Sequence, residues 1–295
     1  MNSQWQATAK AWSEFWFVPR DPSLISSIRV GAGLMAILHF VALLYDGSNW
    51  LGPIGWLNVD AGRFLIGDEV DGTGSIYRWS LLYWYPNCVS WIAGIGILAS
   101  AATVAGIGSR LSPFAVWFCM CTFHHRAPLI TMLHEPMLVA LMAYLSIDPG
   151  RTQWTLRPGF SSGKARISVN IAQQLIVCHF WIWIAFSLFS MLANSLWWNG
   201  EAGWLLMQQA RGWVQLTDGW QSLGQLLTHL VIATQAASLF CMTQANFHWL
   251  GRWMVYGFLA AVLLLLADWM YAAVLLVASF AHWPIPIPNQ KSIPN

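Results

Sequence analysis

A chain of 295 residues that is 57% hydrophobic and only 9% charged is not an ordinary soluble domain, where about a quarter of residues carry charge. A mean hydropathy of +0.51 and 21 tryptophans point to a bilayer. The net charge of +2 says nothing about nucleic acid, and with no basic stripe or nucleic-acid motif no DNA or RNA partner is expected.

The pattern predicts an all-α fold: a polytopic transmembrane helical bundle of about seven spans (six to eight) with interfacial amphipathic helices. Residues 1–22 form the first interfacial helix, with Trp5, Trp12, Phe15 and Trp16 on one broad face and Gln4, Gln6, Lys10 and Ser13 elsewhere. This stretch lacks the basic start, uniform apolar core and cleavage site of a signal peptide. Residues 23–283 form a single transmembrane domain. Its candidate spans are 24–45, 88–107, a short one at 111–125, 128–147, 167–193, 223–245 and 253–283. The last is too long for one upright helix and is interrupted by Asp268, so it reads as one tilted helix or two shorter ones. Residues 284–295 are a Pro-rich, extended tail.

Basic residues set the orientation. With a cytoplasmic N-terminus, Lys10, Arg20, Arg110, Arg151, Arg157, Lys164, Arg166 and Arg252 lie inside. Arg63, Arg78, Arg126 and Arg211 lie outside, with Lys291 also outside if there are seven spans, and Arg29 falls within the first span, close enough to its inner end to snorkel. The outer loop 46–78 is acidic, with Asp46, Asp60, Asp68, Glu69 and Asp71. A second outer excursion, 199–222, carries a short amphipathic helix around EAGWLLMQQARGW.

The chemistry-bearing residues gather at TFHHRAPLITMLHEPM, residues 122–137. His124, His125 and Arg126 are expected in an outward turn, where Arg126 needs no buried partner. Glu135 lies deeper. An acid at mid-membrane costs about 2.5–3.5 kcal/mol on insertion scales. Pro136 suits the first turn of a helix, and Glu135 beside it meets unpaired N–H groups and the positive dipole end. Residues 127–135 are therefore expected to descend as irregular backbone, which survives at membrane depth only beside a polar cavity or within protein. Two readings of Glu135 stand at this point: an acid in an outward-opening cavity, or a partner that locks helices by pairing with Arg126 or a histidine. Glu135, His125 and His134 are the candidate acid–base residues. His124, Arg126, His39, His179, Asn194, Asn199 and Glu201 are the candidate lining. Asn170, Gln173, Gln174, Ser187, Ser190, Thr228, Gln235 and Ser238 read individually as packing glue.

The five cysteines, Cys88, Cys119, Cys121, Cys178 and Cys241, contain no CxxC and read as buried small hydrophobes. A soft-metal site from His124, His125, His134 and Cys119 or Cys121 is the lesser reading, and no metal is assigned. Pro136 after His134-Glu135, with no second histidine at the required spacing, excludes a zincin.

The opening FVPRDPSLISSIRVGAG supplies Phe17, Pro19, Asp21, Pro22, Ser23, Leu24, Arg29 and Gly33. GPIGWL (Gly52 to Leu57), GIGSR (Gly106 to Arg110), HHRAPLI (His124 to Ile130) and DPGR (Asp148 to Arg151) follow. Taken in order, these motifs resemble the HTTM family, the horizontally transferred transmembrane domain that includes the vitamin K-dependent gamma-glutamyl carboxylase, with Glu135 where the family usually has Asp. The resemblance covers roughly 15–285 and is strongest over 15–155. It implies work on exported peptides or proteins. The carboxylase's base lysine falls here on Met191 or Leu192, and the three lysines, Lys10, Lys164 and Lys291, lie elsewhere. Carboxylation by that mechanism is therefore not expected, and whether any reaction is catalysed stays open. The expected function is maturation or modification of an exported peptide or protein in an outward-facing polar cavity, within a bacterial inner membrane. The alternatives are a redox protein binding a quinone-like ligand or other lipid, and a non-catalytic membrane scaffold. No cofactor is required by any motif.

Overall fold

The computed structural model describes residues 3–65, 79–127, 130–150, 165–208, 218–266 and 268–282. Outside them lie Asp68, Glu69, Asp71, Arg78, the Pro-Leu of the His-His-Arg motif, Arg151, Arg157, Lys164, Arg211 and the tail with Lys291. The described residues are helical, joined by turns and one isolated bridge between Arg20 and Arg166.

Helix α1 (Ser3–Phe17) carries Trp5 and Trp12 exposed on its outer side and is tied to the bundle by Asn170, whose Nδ2 donates to the Phe15 carbonyl at 2.8 Å. Helix α2 (Ser23–Leu51) is the central post. It packs most broadly on α4 (Val89–Ala105), because small residues let the two backbones approach. A Cβ on Gly96 would sit 2.7 Å from the Phe40 ring. The short α3 (Val59–Leu65) follows α2 through the Gly52–Trp56 turn.

Helix α5 (Leu111–Arg126) returns across the bundle and is followed by α6 (Glu135–Leu145), α7 (Ile167–Ala193), the single turn α8 (Ser195–Trp198) and α9 (Glu201–Gln208). The last three helices are α10 (Gln221–Thr243), α11 (His248–Leu266) and α12 (Trp269–Ser279). Among the described residues five helices are long and apolar enough to cross a membrane: Ser23–Leu51, Pro86–Ala105, Ile167–Ala193, Gln221–Met242 and His248–Leu266. Glu135–Leu145 and Trp269–His282 are shorter apolar helices.

The stretch 253–283 therefore resolves as two helices, with the break at Asp268. They run antiparallel: Trp183 touches both Phe258 of α11 and Tyr271 of α12, while Arg252 and Ser279 line one recess further down. At 1.5 Å per residue α6 and α12 are each about 16 Å long, half a bilayer.

Two buried arginines correct the sequence expectations. Arg29 does not snorkel. It is 0% exposed, and its guanidinium donates to the Thr103 and Val104 carbonyls at the C-terminal end of α4, where a cation also meets the negative dipole end. Arg126 is not in an open turn. It closes α5, is 1% exposed, donates from Nη2 to the Leu57 carbonyl at 2.7 Å, and lies 4.9 Å over the Tyr83 ring. The loop after α2 folds over the end of α5 and buries it.

Candidate functional site

The site is built where α6 begins. Backbone after Arg126 leaves the helix at Ala127, passes through non-helical geometry at Thr131 and Met132 and a turn at Leu133–His134, and re-enters helix at Glu135. Pro136 sits in the first turn, where its missing N–H removes no bond. The segment returns into the bundle: Gly150, just beyond α6, packs on the Pro22 carbonyl and Ile25 at the start of α2. So α6 runs antiparallel to α2, and its N-terminal end meets α2 partway along, at His39. That residue is about 24 Å from Ser23 and about 18 Å from Leu51 along the helix. The site thus lies partway along a helix that is long and apolar enough to cross a membrane, not at its end.

Four side chains converge there. His39 and His134 are 6% and 5% exposed, and Nδ1 of His39 lies 3.3 Å from Nε2 of His134. Their rings meet edge to face, 5.5 Å apart. Glu135 accepts from the Met132 N–H at 3.1 Å, and its other oxygen is 3.6 Å from Nδ1 of His124. The Glu135 side chain is 12% exposed and that of His124 is 28% exposed, so the cluster is not sealed on the His124 side. Thr131 bridges the segment, its hydroxyl 3.4 Å from Nδ1 of His124. An ionised carboxylate at the N-terminal end of α6 is favoured by the dipole and by the amide it accepts. Paired imidazoles beside a carboxylate can pass a proton by small tautomer changes, which suits general acid–base chemistry.

The other candidates lie apart from this cluster. His125 turns away on the helix, with Nδ1 2.9 Å from the Trp79 carbonyl. Arg126 lies beneath the loop at Leu57 and Gly62. His179 is 3.0 Å from the Tyr144 hydroxyl. Asn194 caps α8 by accepting from the Leu196 N–H at 2.9 Å, while Asn199 and Glu201 are exposed at the next turn. Among the described residues no hydrogen bond or ion pair joins these six to His39, His134 or Glu135. Likewise, no group of three or more His, Cys, Asp or Glu among them is placed to hold a metal.

Several of the remaining buried polar residues tie helices together through backbone groups. Gln173 donates to Ala281 at 2.8 Å and Gln235 to Ile184 at 3.0 Å. Thr228 accepts from the Gly203 N–H at 2.8 Å and lies within bonding distance of the Gly200 carbonyl. These are interhelical ties, as their sequence context suggests.

Sequence reading missed two features. The His39–His134 contact joins residues 95 apart, and no local spacing announces it. Asp268 was legible as a break but not as the cap of α12, where its carboxylate accepts the Tyr271 N–H at 2.9 Å. A search of protein-family models, of curated proteins and of solved structures finds no match to this chain.

Proposed function

We propose that the chain is an HTTM-like membrane protein that assists maturation or modification of an exported peptide or protein, using the polar cluster at the start of α6. Glu135 and His134 are its acid–base groups, and His39 and His124 flank them. The observation that carries this reading is the return of non-helical backbone to a carboxylate and two buried imidazoles at membrane depth. Placing protonatable groups there is costly unless they serve a purpose. The five long helices, together with α5, α6 and α12, provide eight legs, with α6 and α12 the half-length ones. In this arrangement α1 and the Arg20–Arg166 bridge lie on the cytoplasmic side of a bacterial inner membrane, and His124 faces outward. The experiment is a comparison of exported proteins from cells carrying the wild-type gene, a deletion, or Glu135→Gln. The reading expects one exported product to be lost or unprocessed in the deletion and in Glu135→Gln, with the variant protein inserted at normal level. Unchanged exported profiles in both would remove it.

A second reading has one specific observation in its favour. Ile130, Met132 and Leu133, on the segment ahead of Glu135, are 38%, 54% and 53% exposed. An apolar mouth beside a buried acid suits a quinone-like ring arriving from lipid. Titration with a soluble quinone, followed by difference absorbance, tests it. No spectral change, with no protection of Glu135 from carbodiimide, excludes that ligand.

A further inference from the structure

A cleft of about 720 Å³ opens where α2 ends, a size typical of ligand sites. Asp46, Asn49 and Trp50 of α2, Pro53 and Trp56 of the following turn, and Asn87 ahead of α4 line it. The turn is fixed by backbone bonds. The Gly52 N–H returns to the Ser48 carbonyl at 3.0 Å, the Trp56 N–H to Asn49 at 3.1 Å, and the Leu57 N–H to Trp50 at 2.7 Å. A Cβ on Gly55 would sit 2.7 Å from the Trp50 carbonyl oxygen, so the Gly-Pro-Ile-Gly stretch is what lets the turn fold back on the helix. Asp46 is held by neutral donors, the Asn49 amide at 2.7 Å on one oxygen and the Trp50 indole N–H at 2.8 Å on the other. A carboxylate has about four acceptor sites, so both oxygens keep capacity. Among the described residues no Lys, Arg or His pairs with Asp46, and no basic residue lines the cleft. Trp56 is 83% exposed.

We propose that this cleft binds a cationic side chain, lysine or arginine, of a peptide, with Asp46 as the counter-charge and the Trp56 indole against the cation or its methylene stem. The inference rests on the role in export proposed above and names its substrate class, a peptide carrying a basic residue. A carboxylate pre-set by two neutral donors and lacking a cation gains a charge-assisted bond when one arrives. An exposed indole attracts the same group through its ring face. An amine-bearing phospholipid fits less well, because its phosphate sits beside the ammonium and the cleft offers it no basic residue. The position also suits a substrate anchor. Asp46 follows His39 by seven residues, two turns of α2, so it stands on nearly the same face, about 10 Å nearer Leu51. That separation is about three residues of extended chain. A peptide anchored at Asp46 can therefore hold a neighbouring residue at the level of His39.

The measurement is fluorescence anisotropy with the full chain in a neutral maltoside detergent. The ligands are two pentapeptides, each with a neutral dye at one end and an amide at the other. One carries a single lysine among glycines; the other carries acetyl-lysine at the same place, which lacks the charge. The wild-type protein should bind the lysine peptide at least about tenfold more tightly. Asp46→Asn, which keeps an oxygen for the Trp50 N–H, should abolish that preference, and Glu135→Gln should retain it. Trp56→Ala, at a surface position, should weaken the lysine peptide about threefold, and it locates the site even where Asp46→Asn fails to fold. Equal affinity for the two peptides in the wild-type protein overturns the proposal. So does a lysine preference that survives Asp46→Asn, or an affinity unchanged in Trp56→Ala. Displacement of the lysine peptide by phosphatidylethanolamine added to the micelles assigns the cleft to a lipid headgroup and overturns the peptide. The assay requires no processing. Lysine preference absent, with the exported product still lost in Glu135→Gln, removes the substrate class alone; lysine preference present, with exported profiles unchanged, removes the role in export and leaves the cationic cleft standing.

Discussion

At the scale of single residues, the value of a polar side chain in this molecule depends on which carbonyl or carboxylate it meets. Glu135 accepts the Met132 N–H and pairs with His124, so Glu135→Ala leaves both without an acceptor. The expected loss is about 1–2 kcal/mol, read as a lower Tm in detergent, with a smaller loss for Glu135→Gln, which retains an acceptor for the amide. Arg29 gives a sharper contrast. Its removal exposes two helix-end carbonyls in a dry interior, so Arg29→Ala should cost about 3 kcal/mol, while Arg110→Ala at an exposed position should change stability by less than about 0.5 kcal/mol. The sequence shows that 122–137 is unusually rich in protonatable groups. It does not show which of them share a face. His124, His125 and Arg126 are consecutive on a helix, so they point about 100° apart, toward Glu135, Trp79 and Tyr83 respectively. Treating the three as one lining set fails for that geometric reason.

At the scale of elements, helix positions and breaks were legible because they depend on local chemistry. Pro136 marks the start of α6, and Asp268 marks the break between α11 and α12. The amphipathic pattern of Glu201–Gln208 marks a short helix. Pairing of the elements was not legible, since it depends on close fits between distant residues. The α2–α4 contact illustrates this and is testable within one helix. Gly94 and Gly96 are two residues apart, yet a Cβ on Gly94 would meet nothing within 4 Å, while one on Gly96 would meet the Phe40 ring. Gly94→Ala is expected to be neutral or stabilising by up to about 1 kcal/mol, through helix propensity. Gly96→Ala is expected to destabilise by about 1–3 kcal/mol, through overpacking. Thermal unfolding of the two variants side by side checks the packing directly.

For the whole molecule, the arrangement is a bundle of long helices that holds two half-length helices, α6 and α12. Irregular backbone at the start of such a helix is tolerated where protein or a polar cavity satisfies it. The fold class and membrane setting follow from composition. The proposed orientation rests on the basic residues, and it predicts labelling in a background with the five native cysteines replaced. Ile54→Cys, at a position 99% exposed beyond the end of α2, should react with an impermeant maleimide in intact cells. Lys10→Cys should react only after permeabilisation. The opposite pattern would invert the topology and turn the site toward the cytoplasm.

Water access to the polar cluster is the point on which its chemistry depends. In the same cysteine-free background, Thr131→Cys lies beside His124 and Glu135, while Leu38→Cys lies next to His39 in sequence on the outer surface of α2, at a position 42% exposed. A small charged thiosulfonate added from outside should modify Thr131→Cys at least about tenfold faster than Leu38→Cys, because thiolate forms only where water reaches. Equal, slow rates at the two positions would mean a dry cluster that merely ties helices together, and would contradict the account.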